Sequence, residues 1–322
     1  MTKGVVVIAG PTASGKSQVA LELADRLAEF GGARIINADS MQVYRELRIV
    51  TARPSAADEA RVQHRLYGVL SALDICSAGR WRALAVAEIE RAHAEGAVPV
   101  VVGGTGLYLN VLLRGIAPVP AIPAEVRAAA RDRLRDLGPE AFRVELGRLD
   151  GEAAANIGAQ DAQRLIRAWE VVTATGATLR SWQRRAPDNP LTVPAARVLV
   201  MPVRADVYAN CDARVVRMVA EGVKEEISAF EALAPADDLP ATRAVGVPEF
   251  RRWVHGEIPE SEAVAEVQQA SRNYAKRQFT WFRTQAADWQ AFAPPGGGRA
   301  AQYSESLADQ IFPFIRRFLL TT

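Results

Sequence analysis

Apolar positions along the first part of the chain follow two alternating periods. Residues 5–10, "VVVIAG", form an unbroken apolar run that ends in glycine. The next segment, "SQVALELADRLAEF", repeats at helical spacing and puts Val19, Leu23 and Leu27 on one face. "GGARIINADS" reads as a turn and a second strand, "RWRALAVAEIERAHAEG" as a helix closed by Gly96, and "AVPVVVGGTG" as a third strand. The stretch between the second strand and that helix is irregular. Strands that alternate with helices predict a parallel sheet covered on both faces.

The pattern changes near residue 115. "GIAPVPAIPAE" is proline-rich and reads as a linker. The periodicity is then purely helical through "AEVRAAARDRLRDLG", "PEAFRVELGRLD", "GEAAANIG", "AQDAQRLIRAWEVVTATG" and "ATLRSWQRR". A second break, "APDNPLTVP", precedes "ARVLVMPVR", which is strand-like again. The expected fold class is α/β: a P-loop core with a parallel β-sheet flanked by helices, plus a small all-α inserted domain. The first part of the core takes 1–115, the insertion 116–193, and the return to the core, mostly helical, 194–322. "FAPPGGGRAA", residues 292–301, is expected to be a flexible surface loop.

Composition narrows the class. Hydrophobic residues are 49% and charged residues 24% of the 322, the profile of a globular chain. No apolar run reaches the length of a membrane span. A first strand that runs straight into the motif described next argues against a cleavable leader. Cys76 and Cys211 are far apart, and three histidines offer no zinc spacing, so a reduced, cytoplasmic protein is expected. The net charge of +2 gives no global field for nucleic acid, and size with balanced charge suggests a monomer.

The strongest chemical signal is "GPTASGKS", Gly10, Pro11, Thr12, Ala13, Ser14, Gly15, Lys16 and Ser17, a G-x-x-x-x-G-K-S phosphate cradle between a strand and a helix. Its glycines let backbone amides wrap an anion, and the following helix points its positive end at the same place. Lys16 would reach the terminal phosphates, and the Ser17 hydroxyl would hold Mg²⁺. Asp39 stands at the carboxyl end of the second strand, where α/β sheets put ligands.

"NADSMQVYREL" and "TARP" are more specific than a helix cap. With "GPTASGKS", "GGTGLYLNVLLRG", "DAQRLIRAWEV" and "KRQFTWFR" in this order, the chain resembles the tRNA dimethylallyltransferases, also called tRNA isopentenyltransferases, along nearly its whole length. The resemblance implies transfer of a prenyl group from dimethylallyl diphosphate to N6 of adenosine 37 in the tRNA anticodon stem-loop. The cradle would then hold a diphosphate leaving group rather than ATP. The resemblance adds Arg214 to that clamp and puts Asp39 in the place of the general base. It implies RNA contacts from Asp39, Ser40, Met41 and Gln42, from Thr105, from Arg127, and from Gln163, Arg164, Leu165, Ile166 and Arg167. Lys276, Arg277 and Arg283 would meet the phosphate backbone, whereas Tyr274, Phe279 and Phe282 are expected to pack in the core. His64 matches a family histidine near the active site and is expected to order its loop.

The chain departs from the family pattern at Val50, where glycine is common, and at Val247 and Pro248, where a tyrosine and a basic residue are usual; the latter stretch is a doubtful RNA contact. The zinc finger of eukaryotic members is absent, which points to the bacterial type. Three other readings remain open on the residues alone. One is a small-molecule P-loop kinase, another a prenyltransferase of free adenine nucleotides. The third, an RNA-binding or GTPase-like module, lacks an N-K-x-D motif for guanine.

Overall fold

A computed structural model describes residues 4–293 and 300–322, with side chains from 306 onward in the second stretch. Of the surface loop expected over 292–301, residues 294–299 lie outside the described residues. The core opens with β1 (Val5–Ala9), α1 (Lys16–Arg26), β2 (Ala33–Asn37), α2 (Ala56–Arg61), β3 (Gln63–Arg65), α3 (Ala78–Ala94), β4 (Val98–Gly103) and α4 (Gly106–Arg114). A helical stretch follows: α5 (Ala124–Leu149), α6 (Gly151–Asn156), α7 (Ala162–Thr175) and α8 (Leu179–Gln183). The core resumes with β5 (Ala195–Val200), α9 (Arg204–Ala220), α10 (Val223–Glu231), α11 (Val247–Val254), α12 (Glu260–Gln285), β6 (Gln290–Phe292) and α13 (Ala300–Thr321).

Among the described residues six strands form one parallel sheet in the order β3-β2-β4-β1-β5-β6. Every residue of β1 and β4 is buried, as expected of strands covered on both faces. Val5, Val7 and Ala9 of β1 face a core shared with α3, α4, α10 and α11. Val6 and Ile8 face the other way, onto α1 and α13, where Leu307, Ile311, Ile315 and Leu319 form a buried stripe. The neighbouring strands β1 and β4 are followed by helices on opposite faces, α1 and α4, so their loops part at a switch point on the carboxyl edge, the place such sheets reserve for ligands.

The sequence missed α2, β3, α4 and β6. β3 and β6 are three-residue edge strands, too short to show a period, and "QHR" in β3 is polar because that edge faces water.

Two compact units emerge, one of Met1–Leu113 with Leu191–Thr322 and the other Arg114–Pro190. The ends of the second unit are tied by reciprocal amide–carbonyl bonds between Ile116 and Asp188, at 3.2 and 2.8 Å. Its core joins Phe142, Leu146, Leu165 and Trp169 from α5 and α7. Gly138, at φ 74° and ψ 165°, breaks α5 before Pro139, so two helices run where one label stands.

Candidate active site

The turn between β1 and α1 has the shape of an anion cradle. Gly15 caps α1 at φ 83°, a left-handed conformation that glycine adopts without strain. Gly10 has no room for a side chain: a Cβ there would stand 2.4 Å from the Val200 carbonyl oxygen and 2.8 Å from Ser14 Oγ. The leading amides of α1 have no helical acceptors and face the turn. Ser14 is buried with its hydroxyl unpartnered, and Ser17 is exposed in the first turn of α1. Lys16 folds over the turn, with Nζ 3.2 Å from the Pro11 carbonyl oxygen. Burial lowers the Lys16 pKa to about 8, an effect partly opposed by the Asp39 carboxylate and added to by Arg214. Arg214, on α9, is also depressed mainly by burial, and its Nε has no hydrogen-bond partner. Two half-buried cations beside an open turn, one of them with an unpartnered Nε, suit a polyanion.

Asp39 follows β2 and is oriented by its own turn. Its Oδ1 accepts the Met41 amide at 2.9 Å, and its amide donates to Asn37 Oδ1 at 2.8 Å. Asn37 is fully buried and also donates to the carbonyls of Asp39 and Leu66, while Trp81 Nε1 donates to the Asn37 carbonyl at 2.8 Å. Thr105, after β4, closes the same turn: its Oγ1 accepts the Ser40 amide at 3.0 Å and donates to Ser40 Oγ at 3.3 Å.

Of these groups, Asp39, Ser40 and Arg214 open onto a cavity of about 180 Å³, lined by Thr12, Asp39, Arg214, Arg243, Tyr274 and Arg277 on its polar side. Its remaining wall is largely apolar, with Met41, Val50, Met218, Ala244, Val245 and Val267. One compartment therefore combines cations, a carboxylate and room for a small apolar group.

The structure brings together Lys16, Arg214, Asp39, Ser40 and Thr105, and it revises several other assignments. The Thr12 amide is committed to Gln278 Oε1 at 2.7 Å and is not available to an anion. Gln42 spends both amide hydrogens on the carbonyls of Thr51 and Ala52, each at 2.9 Å, which removes them from base reading. Leu165 is fully buried in the core of the helical unit and Ile166 packs against that core, so their side chains serve packing. Gln163, Arg164 and Arg127 are exposed, while Arg167 is half-buried and pairs with Glu170 at 3.4 Å. Lys276 and Arg283 are exposed, and Arg277 lies over the Tyr274 ring at 5.6 Å.

Phe279 and Phe282 are packed, but Tyr274 is not simply core: it lines the cavity, and burial with the nearby Asp39 charge pushes its hydroxyl pKa up. His64 sits opposite Ile35 on β3 with Nδ1 2.9 Å from the Val62 carbonyl oxygen, an ordering contact at the sheet edge. Val50 packs where a Cβ at Gly246 would meet its Cγ2 at 2.9 Å, and Val247 is fully buried at the start of α11.

The sequence also missed supporting residues. Glu226, on α10, accepts the amides of Arg48, Ile49 and Val50 at 2.8, 2.7 and 2.9 Å and holds the loop that carries Val50 and Thr51 to the cavity. Asn37 carried a signal, a polar residue that ends an apolar strand two positions before Asp39. Glu226 carried none.

A parallel α/β sheet with an anion cradle after its first strand, facing a carboxylate across a part-apolar cavity, is a framework suited to moving a group from a phosphorylated donor. Comparison with known proteins makes the assignment specific. The model of the family described as IPP transferase matches residues 42–285. The tRNA dimethylallyltransferase of Parvibaculum lavamentivorans is 47% identical over 316 residues, 98% of this chain and 97% of that protein. The one from Rhodospirillum centenum is 49% identical over 299 residues, 91% of this chain and 92% of its own. The crystal structure of the full-length tRNA isopentenylpyrophosphate transferase of Bacillus halodurans superimposes with a TM-score of 0.70 at 29% identity, covering 99% and 97% of the two chains. A eukaryotic dimethylallyltransferase acting on tRNA shares the fold, with a TM-score of 0.79 at 22% identity over 99% of this chain and 80% of that one. The chain belongs to the IPP transferase family, the prenyltransferases that include the tRNA dimethylallyltransferases.

Proposed function

We propose that the chain transfers the dimethylallyl group of dimethylallyl diphosphate to N6 of adenosine 37 in tRNA and releases diphosphate. The observation that carries this reading is that Asp39 and Arg214 line one part-apolar cavity, with the Lys16 ammonium of the cradle within electrostatic reach of both. The diphosphate lies in the cradle, where Lys16, Arg214 and the leading amides of α1 stabilise charge as the allylic C–O bond breaks and its electron pair leaves with the diphosphate. The adenine N6 forms the new bond to that carbon. Its lone pair is delocalised into the ring, so loss of a proton must accompany attack, and Asp39 accepts that proton. The apolar wall shelters the dimethylallyl group and keeps water from intercepting it.

Ser17 is the residue suited to Mg²⁺. Among the described residues no group of three or more His, Cys, Asp and Glu side chains could hold a metal. The Ser17 hydroxyl would hold a magnesium ion, which would supply positive charge for the leaving group.

The adenine must leave the anticodon-loop stack, which costs a few kcal/mol. Contacts from Ser40 and Thr105 beside the base, and from exposed Gln163, Arg164, Arg127, Lys276 and Arg283 to the stem and loop, offset that cost. Among the described residues no helix is long and apolar enough to cross a membrane. The same reading has the chain working as a monomer in the cytoplasm.

The test is an N6-prenylation assay with the purified chain, Mg²⁺, dimethylallyl diphosphate and an anticodon stem-loop, with AMP as an alternative acceptor and ATP alone as a control. Transfer to adenosine 37 without ATP is expected. Transfer to AMP alone, or ATP turnover without RNA modification, would sink the reading.

A further inference from the structure

Gln278 lies on α12 among aromatic and basic residues, is 5% exposed, and is absent from the cavity wall. Its Oε1 accepts the Thr12 amide at 2.7 Å and its Nε2 donates to the Gly104 carbonyl at 2.8 Å. One partner can only donate and the other can only accept, which fixes the orientation of the amide. Thr12 belongs to the cradle after β1; Gly104 precedes Thr105 after β4. The two turns back closely onto each other: a Cβ at Gly104 would stand 2.5 Å from Gln278 Nε2 and 2.9 Å from the Gly10 carbonyl oxygen. Beyond Gly104 the linkage continues through Thr105 Oγ1 to Ser40, the neighbour of Asp39.

We propose that Gln278 is a positioning residue that clamps the donor cradle to the acceptor turn and so sets the distance between the diphosphate-bearing carbon and the base that receives it. The inference rests on the assignment of the cradle to the donor and of the Ser40–Thr105 side to the acceptor. α12 is a rigid base for such a clamp. Its Ala275 and Phe279 pack on Val207 and Cys211 of α9, and its Arg272 is paired with Asp212 at 2.5 Å. One side chain thus ties three segments of the chain, buried at Gln278 and Gly104 and half-buried at Thr12. Loss of the clamp leaves both sites intact but frees their separation. An orientation error of about 1 Å at a reacting centre costs on the order of a hundredfold in rate.

The experiment compares the wild type with Gln278→Leu, Gln278→Glu, Thr105→Ala and the Gln278→Leu/Thr105→Ala double variant in the full chain. Single-turnover transfer to the anticodon stem-loop is measured beside separate binding constants for dimethylallyl diphosphate and RNA. Gln278→Leu is expected to slow transfer roughly ten- to a hundredfold, with each binding constant within about threefold of wild type. Gln278→Glu keeps the acceptor for Thr12 but sets a carboxylate oxygen against the Gly104 carbonyl; it is expected to lose rate and retain donor affinity. It also supplies the reading if the leucine variant does not fold. The double variant is expected to be no slower than the worse single one, because both changes break one linkage.

A rate within about twofold of wild type in both Gln278 variants, loss confined to donor affinity, or multiplicative losses in the double variant would each overturn the proposal. A wild-type chain that binds the donor but transfers nothing to RNA would overturn the assigned activity, and the positioning role with it.

Discussion

Asp39 accepts the Met41 amide on Oδ1 at 2.9 Å, so the proposed proton acceptor is aimed by its own turn rather than by a distant partner. Asp39→Asn can preserve that contact while removing the basicity. The transfer rate is expected to fall by about 10²–10⁴-fold, the usual reach of a general base, with donor affinity changed far less. Single-turnover transfer with saturating donor checks this; a loss under about fivefold would argue against Asp39 as the base.

Lys16 should set a basic limit on donor capture. Its pKa in the folded chain is about 8, below the ordinary 10.5, because burial disfavours the ammonium. Diphosphate requires that ammonium, so kcat/KM for the donor is expected to fall as pH rises through about 8, since this ratio reports the free protein. Asp39 supports the charged form, and Asp39→Asn should move the fall to lower pH. The stability effect has the opposite sign. The unfolded chain holds this proton more tightly, so the contribution of Lys16 becomes less unfavourable as pH rises from about 8 to 10.5. A pH profile of kcat/KM for both proteins, beside melting curves, tests the two signs together.

Glu226 presents a separate case, because it touches no proposed substrate. Its carboxylate takes three successive amides, Arg48, Ile49 and Val50. Glu226→Ala leaves them without that acceptor and is expected to cost about 2 kcal/mol of stability. Because Val50 and Thr51 line the cavity, KM for the donor should also rise. Urea unfolding and donor titration check the two effects; an unchanged midpoint would mean that water replaces the carboxylate.

These cases divide what the sequence reveals from what it conceals. β1, the cradle and α1 were legible because their residues are contiguous and the glycines are required locally. Asp39 was legible from its place after an apolar strand. Gln278 and Thr12 are 266 positions apart, and Glu226 and Arg48 178 apart. No period or spacing marks such partners, since their pairing is decided by how helices pack on the finished sheet. The edge strands β3 and β6 escaped for a different reason: three residues cannot display alternation. Gln42 and Leu165 show the limit of motif transfer, because a motif names a segment without telling which side chains turn inward.

The α7 segment offers a prediction that separates packing from recognition. Leu165 is fully buried between α5 and α7, whereas neighbouring Gln163 and Arg164 are exposed. Leu165→Ala should destabilise the helical unit by about 2–5 kcal/mol, the range for removing a buried leucine side chain. Arg164 forms an exposed pair with Asp161 at 3.3 Å, so Arg164→Ala should leave the melting temperature nearly unchanged. If Arg164 meets an RNA phosphate, its loss should weaken anticodon stem-loop binding and make the salt slope of binding shallower by about one counterion. Binding measured across a salt series, with melting curves for both variants, distinguishes the two residues. An Arg164→Ala protein with the wild-type salt slope would remove this face of α7 from the RNA interface.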